Sequence, residues 1–173
     1  MPTKRILTAI ALLTIALYTQ WLAEPTDRHN NPSLTATPKP APSGMVLVAK
    51  VVDGDTIEID GGARVRYIGI NTPETVDPRR PVQCFGKEAS AFNKKLVEGA
   101  YVRLVRDISD TDKYGRLLRY VYLPDGTFVN LELVARGYAQ ASAYPPDIAH
   151  AKEFAAAQAD ARTSRLGLWG GCP

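Results

Sequence analysis

The chain has no marked excess of either charge. Its 21 lysines and arginines outnumber its 18 aspartates and glutamates by three, and four of the basic and two of the acidic groups lie before residue 45, which leaves an excess of one for the remainder. A protein that binds polyanions through a broad basic face needs more than this. Any phosphate ligand must therefore be held by the local placement of a few cations and by a bound metal ion. Large size is missing too: 173 residues suffice for one well-buried domain and not comfortably for two. No internal repeat is present, which excludes an array of stacked units. Cysteine is scarce, with only Cys84 and Cys172.

Lys4 and Arg5 precede an apolar run over residues 6–22. A basic start followed by an apolar stretch is the pattern of an export signal, although a clean small-x-small cleavage site is lacking because Trp21 stands where a small residue would be needed. The run is borderline in length for a bilayer, which takes about 20 residues. Residues 1–23 thus read equally as a cleaved signal peptide or as a membrane anchor, and both place the remainder outside the cytoplasm, secreted or tethered. Residues 24–44 mix Pro, Thr, Asn and Ser with almost no large apolar groups, so they read as an extended, disordered linker rather than as part of a fold. The folded domain is expected over residues 45–173.

Within that domain, residues 45–52 (MVLVAKVV) read as a buried strand, residues 56–60 resume a two-residue alternation after the Asp-Gly-Asp turn at 53–55, and residues 63–70 return as a third strand after Gly61 and Gly62. A proline-containing loop leads to a helix over 86–98, with Ala89, Phe92, Leu96 and Val97 at helical spacing and Gly99 as its stop. Strands are expected over 101–106 and 116–123, a short helix over 130–136 closed by Gly137, and a last helix over 147–164 with Asp147 as its N-cap. Five short strands with a helix inserted after the third describe an α+β, mainly β fold: a five-stranded Greek-key barrel of the oligonucleotide-binding type with three helices.

The densest chemistry lies at residues 65–74, VRYIGINTPE. An alternating strand carrying Arg66 runs into a turn that sets Asn71, the Thr72 carbonyl and Glu74 side by side. Oxygen ligands, a carboxylate and a guanidinium in ten residues suit a hard cation and a phosphate better than a core. A phosphodiester repels nucleophiles and gathers negative charge in its transition state, so its cleavage needs fixed positive groups and an oriented water. Arg66 and Arg116 can supply paired N–H donors. Taken singly, each of these residues has an ordinary reading as a surface ion pair, a turn residue or a solubilising loop charge. Their combination does not.

Three motifs in order, DGDT at 53–56, VRYIGINTPE at 65–74 and DKYGR at 112–116, together with FGKEASAF at 85–92, resemble the staphylococcal nuclease (thermonuclease) family. The similarity runs over about residues 45–169. It implies a five-stranded barrel with three helices and a calcium-dependent phosphodiesterase acting on DNA and RNA, leaving 3'-phosphate ends. By this resemblance Asp55, Asn71 and the Thr72 carbonyl are the Ca²⁺ ligands, Arg66 and Arg116 grip the scissile phosphate, and Glu74 engages the attacking water as a general base or as an orienting group. Lys113 and Tyr114 hold the neighbouring phosphate, and Tyr144 forms a wall of the nucleotide pocket. The best-known member has aspartate where this chain has Asn71. An amide oxygen still ligates Ca²⁺, but one negative charge is lost, so weaker calcium binding or tolerance of another divalent ion is expected.

In an exported domain the even pair Cys84 and Cys172 is expected to be oxidised, tying the loop before the first helix to the C-terminus. The expected protein is a monomeric, exported nuclease with DNA and/or RNA as substrate, in contact with the membrane if the N-terminal segment stays attached. The alternative is a noncatalytic barrel that binds nucleic acid or protein, because this fold also serves as a binding platform.

Overall fold

A computed structural model describes residues 42–76 and 81–173 of the chain. The apolar run at 6–22 and most of the linker at 24–44 lie outside the described residues. Among the described residues no helix is long and apolar enough to cross a membrane.

Five strands close a barrel in the order β1, β2, β3, β6, β5. Strand β1 (Val46–Asp53) is long enough to serve two neighbours. Its start pairs antiparallel with β5 (Tyr101–Val105), and the rest pairs antiparallel with β2 (Thr56–Ile59). Irregularities in register between Val48 and Lys50 and between Val51 and Asp53 bend it around the barrel. Strand β3 (Arg64–Tyr67) follows β2 through the turn at Gly61 and Gly62, both at positive φ. The barrel closes where β3 meets β6 (Leu117–Tyr122) in parallel, with Val65 opposite Leu117 and Arg66 opposite Leu118. That seam matters most for function. It brings residues 66 and 116, fifty apart in sequence, to one mouth of the barrel.

Two sequence expectations are corrected here. The third strand does not run over 63–70: it stops at Tyr67, and residues Ile70–Asn71 form a separate strand, β4, paired antiparallel with β7 (Gln140–Ala141). The cause is Gly69, at φ 78°, where a Cβ would lie 2.5 Å from the Phe154 ring. The apolar alternation of I-G-I looks continuous, but the backbone turns there. The helix expected over 147–164, α3 (Ala151–Thr163), begins four residues later than expected, and Asp147 is not its N-cap. The Asp147 carboxylate instead accepts the N–H groups of Ile108 (2.9 Å) and Ser109 (2.7 Å), pinning one loop to another. Burial works to raise its pKa, but these bonds outweigh burial and hold it below the ordinary range.

Helix α1 (Gly86–Val97) and α2 (Val129–Ala135) lie where expected, within a residue at each end, and a short α4 (Leu168–Gly171) follows α3. The barrel interior is filled by Val48, Ile57, Val65, Tyr67, Val102 and Val121, all buried, and Leu133 of α2 with Phe154 of α3 extends this core. Buried asparagines join helices to the barrel. Asn130 accepts the Val121 N–H and donates to the Ile68 carbonyl (both 2.9 Å), and Asn93 accepts the Tyr67 hydroxyl (3.1 Å). Burial pushes the Tyr67 phenol well above its ordinary pKa, so it stays a neutral donor. Leaving such buried groups unpaired costs about 1–3 kcal/mol each, so these bonds select one seating of the helices. Cys84 and Cys172 form a disulfide, with Cα atoms 5.9 Å apart.

Candidate phosphodiester-cleaving site

The turn after β1 begins the site. Gly54 allows the chain to pass against Thr72, whose side chain would lie 2.6–2.8 Å from a Cβ at this position. Asp55 is buried, and its Oδ2 accepts the Thr72 N–H (2.9 Å) while pairing with Arg66 Nη2 (3.1 Å). The strand end and the NTPE turn are thus fastened together by one carboxylate.

Arg66 points out of the barrel because its neighbours Val65 and Tyr67 point in. Its Nη1 donates to the carbonyls of Tyr67 (2.5 Å) and Ile70 (2.9 Å), and its Nη2 to Asn71 Oδ1 (3.2 Å). With the Asp55 pair, four oxygens orient this guanidinium. Such preorganisation removes side-chain freedom before a ligand arrives.

Arg116 is oriented differently. The loop before β6 folds back on Asp112, whose Oδ1 accepts the N–H groups of Tyr114 (2.9 Å) and Arg116 (3.0 Å), and whose Oδ2 accepts from Arg116 Nε and Nη2 (both 2.7 Å). Gly115, at φ 77°, permits that tight return. Burial would raise the Asp112 pKa, but the donors from Arg116 and Tyr114 outweigh it and hold the carboxyl below its usual range.

Six of the residues singled out by sequence, Asp55, Arg66, Asn71, Thr72, Glu74 and Arg116, line one cavity of about 290 Å³. Glu74 is a half-buried part of its lining, with Oε1 accepting the N–H groups of Thr75 (2.9 Å) and Val76 (2.8 Å). A second cavity, about 550 Å³, shares Arg66 and Arg116 and adds Lys113, Tyr114 and Tyr144. Tyr114 and Tyr144 are 72% and 81% exposed, so both side chains are accessible from the groove. Lys113 Nζ lies 5.0 Å and the Arg116 guanidinium 5.6 Å from the Tyr114 ring centre, which holds positive charge along this wall.

Sequence reasoning passed over three residues of the site. Asp53 lines the smaller cavity, and its Oδ1 accepts from Thr75 Oγ1 (2.6 Å) and the Gly54 N–H (2.8 Å). Burial pushes its pKa up, with the neighbouring carboxylates of Asp55 and Glu74 adding to the rise. The doubled aspartate of DGDT was its only local signal. Asp112 was visible as the first letter of DKYGR, but its role depends on how the loop closes. Gln83 accepts the Glu74 N–H and carried no signal at all.

Among the described residues, no three His, Cys, Asp or Glu side chains come together as a metal cluster. A cation here would rest on the mixed oxygen set of Asp55, Asn71 and the Thr72 carbonyl. That set suits a hard ion, and of the six to eight ligands of Ca²⁺ it leaves half or more to water and phosphate.

The family described as staphylococcal nuclease homologue matches residues 64–171. The chain is 47% identical over 126 residues to a thermonuclease of Staphylococcus intermedius, covering 71% of this chain and 74% of that protein. It is 41% identical over 125 residues to a thermonuclease of Staphylococcus hyicus, covering 70% and 73%. Endonuclease YncB of Bacillus subtilis (strain 168) is 38% identical over 129 residues, covering 72% of this chain and 61% of that protein.

Proposed function

Because the chain belongs to the staphylococcal nuclease family, we propose that it is a calcium-dependent nuclease that hydrolyses phosphodiester bonds of DNA or RNA and leaves 3'-phosphate ends. The observation that carries this reading is the shared wall of the two cavities. Arg66 and Arg116 border both the small cavity with its oxygen cluster and the larger groove with its lysine and two tyrosines.

In this reading a nucleic-acid strand lies along the groove, with Lys113 and Tyr114 meeting one phosphate and Tyr144 stacking on a base as a wall of the nucleotide pocket. The next phosphate reaches the mouth formed by Arg66 and Arg116. Their N–H groups neutralise charge that grows on its oxygens as the bond to the leaving oxygen lengthens. Glu74, fixed through Oε1 by two backbone N–H groups, orients the attacking water and accepts its proton. Asp55, Asn71 and the Thr72 carbonyl would hold Ca²⁺, which would add positive charge beside the phosphate. Little sequence preference follows, because phosphate rather than base edges is gripped. Residues 1–23 would deliver the domain, as a monomer, to the outside of the cytoplasm.

The test is cleavage of a fluorescence-quenched oligonucleotide with Ca²⁺ or with EDTA, beside Glu74→Gln and Arg116→Ala. Calcium-dependent cleavage that falls by about 10²-fold or more in both variants supports the reading, and mass spectrometry of the fragments, which shows whether the phosphate stays on the 3' end of the upstream piece, reads the 3'-phosphate. Binding without cleavage across divalent metals would instead identify a noncatalytic nucleic-acid platform.

A further inference from the structure

Glu74 is held from both directions by one residue. Its N–H donates to Gln83 Oε1 (2.9 Å), and its carbonyl accepts the Gln83 N–H (2.9 Å). A clamp of this kind works only if Gln83 is itself fixed. The Gln83 carbonyl accepts the N–H of Gly86, the first residue of α1 (3.0 Å). Gly86 packs so closely on this segment that a Cβ there would meet Thr75 Cγ2 at 2.6 Å and the Pro73 carbonyl at 3.0 Å. The residue next to Gln83 is Cys84, bonded to Cys172 across 88 positions.

The far end of that bridge is well seated. Cys172 directly follows α4, where Leu168 donates its N–H to the Gly137 carbonyl (2.9 Å) and the Arg162 guanidinium lies 4.1 Å from the Trp169 ring centre. The bridge therefore joins the backbone that carries Glu74 to a cap built on α2 and α3. It does so at the surface, with Cys84 exposed and Cys172 half-buried, while the barrel core is filled without either sulfur.

We infer that the Cys84–Cys172 bridge, acting through Gln83, positions Glu74, so that a dithiol reductant lowers turnover reversibly without unfolding the domain. The inference rests on the reading of Glu74 as the carboxylate that orients water. Gln83 is a positioning residue, since it holds the main chain of Glu74. In the redox step the reductant's two thiols supply two electrons and two protons. The Sγ–Sγ bond breaks, two protein thiols form, and the reductant leaves as its own disulfide.

The full chain is compared oxidised, reduced with dithiothreitol, and reoxidised, alongside Gln83→Ala, Gln83→Glu and the double variant Cys84→Ser/Cys172→Ser. Two readouts are taken: kcat and KM on a quenched oligonucleotide, and amide hydrogen exchange at residues 74–76 and in β3. Reduction is expected to lower kcat about tenfold, because small misplacements of a catalytic group are costly, with KM within twofold and recovery on reoxidation. Exchange rises at residues 74–76 and stays slow in β3. The double serine variant behaves as the reduced protein, Gln83→Ala loses the same kcat with its bridge intact, and Gln83→Glu, which keeps an acceptor oxygen, recovers most of it. Equal kcat and equal exchange at residues 74–76 in the oxidised and reduced forms would overturn the inference. Exchange rising throughout β3 would also overturn it, by making the bridge a general staple. If no form cleaves, the nuclease reading fails separately, and exchange at residues 74–76 alone decides the clamp.

Discussion

Replacing Asp112 tests whether one carboxylate aims one of the two arginines. In Asp112→Ala four acceptor contacts disappear: two from the backbone N–H groups of Tyr114 and Arg116, and two from the Arg116 guanidinium. The backbone donors lie in a partly exposed loop and regain water, so their loss costs about 0.5–1 kcal/mol each. The ion pair is partly buried, with side-chain exposures of 29% and 17%, and is worth about 1 kcal/mol after screening. The total is about 2–3 kcal/mol, or on the order of 5–10 °C in Tm. Activity should fall further than stability, by about 10²-fold in kcat, because a freed guanidinium no longer meets the phosphate at a fixed angle. The pH dependence has a definite sign. Asp112 has a depressed pKa in the folded state, so its stabilisation is present above the unfolded value near 3.9 and is lost as pH falls through the lower folded value. Urea unfolding of wild type and Asp112→Asn should therefore differ at pH 7, with the gap narrowing only as pH falls from about 4 through the lower folded value. A variant that retains kcat within twofold, or a stability gap that does not narrow in acid, would refute the reasoning.

Asn71→Asp restores a charge to the oxygen set, so the Ca²⁺ concentration for half-maximal cleavage should fall; an unchanged or higher concentration in a calcium titration would remove Asn71 from the ligand set. Tyr144→Ala removes an exposed ring from the groove wall and should weaken oligonucleotide binding by about 1–3 kcal/mol, seen as a raised KM with kcat nearly constant. Gly54→Ala drives a methyl group into Thr72 and should destabilise the domain by about 1–3 kcal/mol, measured by urea unfolding, with a parallel rise in the calcium requirement.

Much of this architecture is local and could be read residue by residue. Alternation marked the strands, the turn glycines at 61 and 62 marked a hairpin, and helical spacing marked α1. The errors have a common cause. Gly69 sits inside an apolar alternation that continues on paper, and only the packing of Phe154 explains why the strand must turn there. Asp147 follows two prolines and looks like a helix cap, but its carboxylate finds better donors in a loop nearly forty residues away. A side chain with a good local use is free to take a distant one, and pattern alone cannot rank the two.

The residue types proposed for the site were legible in the sequence: two guanidiniums, a cluster of oxygen-bearing groups and a carboxylate at Glu74, in motifs whose order points to a single family. Their convergence was decided by the fold. Strands β3 and β6 run parallel at the barrel seam, and that pairing sets Arg66 and Arg116 at one mouth. The groups that hold each arginine are mostly near in sequence, Asp112 four residues before Arg116 and Tyr67, Ile70 and Asn71 within five of Arg66, but Asp55 reaches Arg66 from the turn before the neighbouring strand. Hydrogen bonds reach about 3 Å and act only on what the chain brings near, so the residue types and their local partners were written in the sequence, while the meeting of Arg66 and Arg116 was decided by the closed barrel.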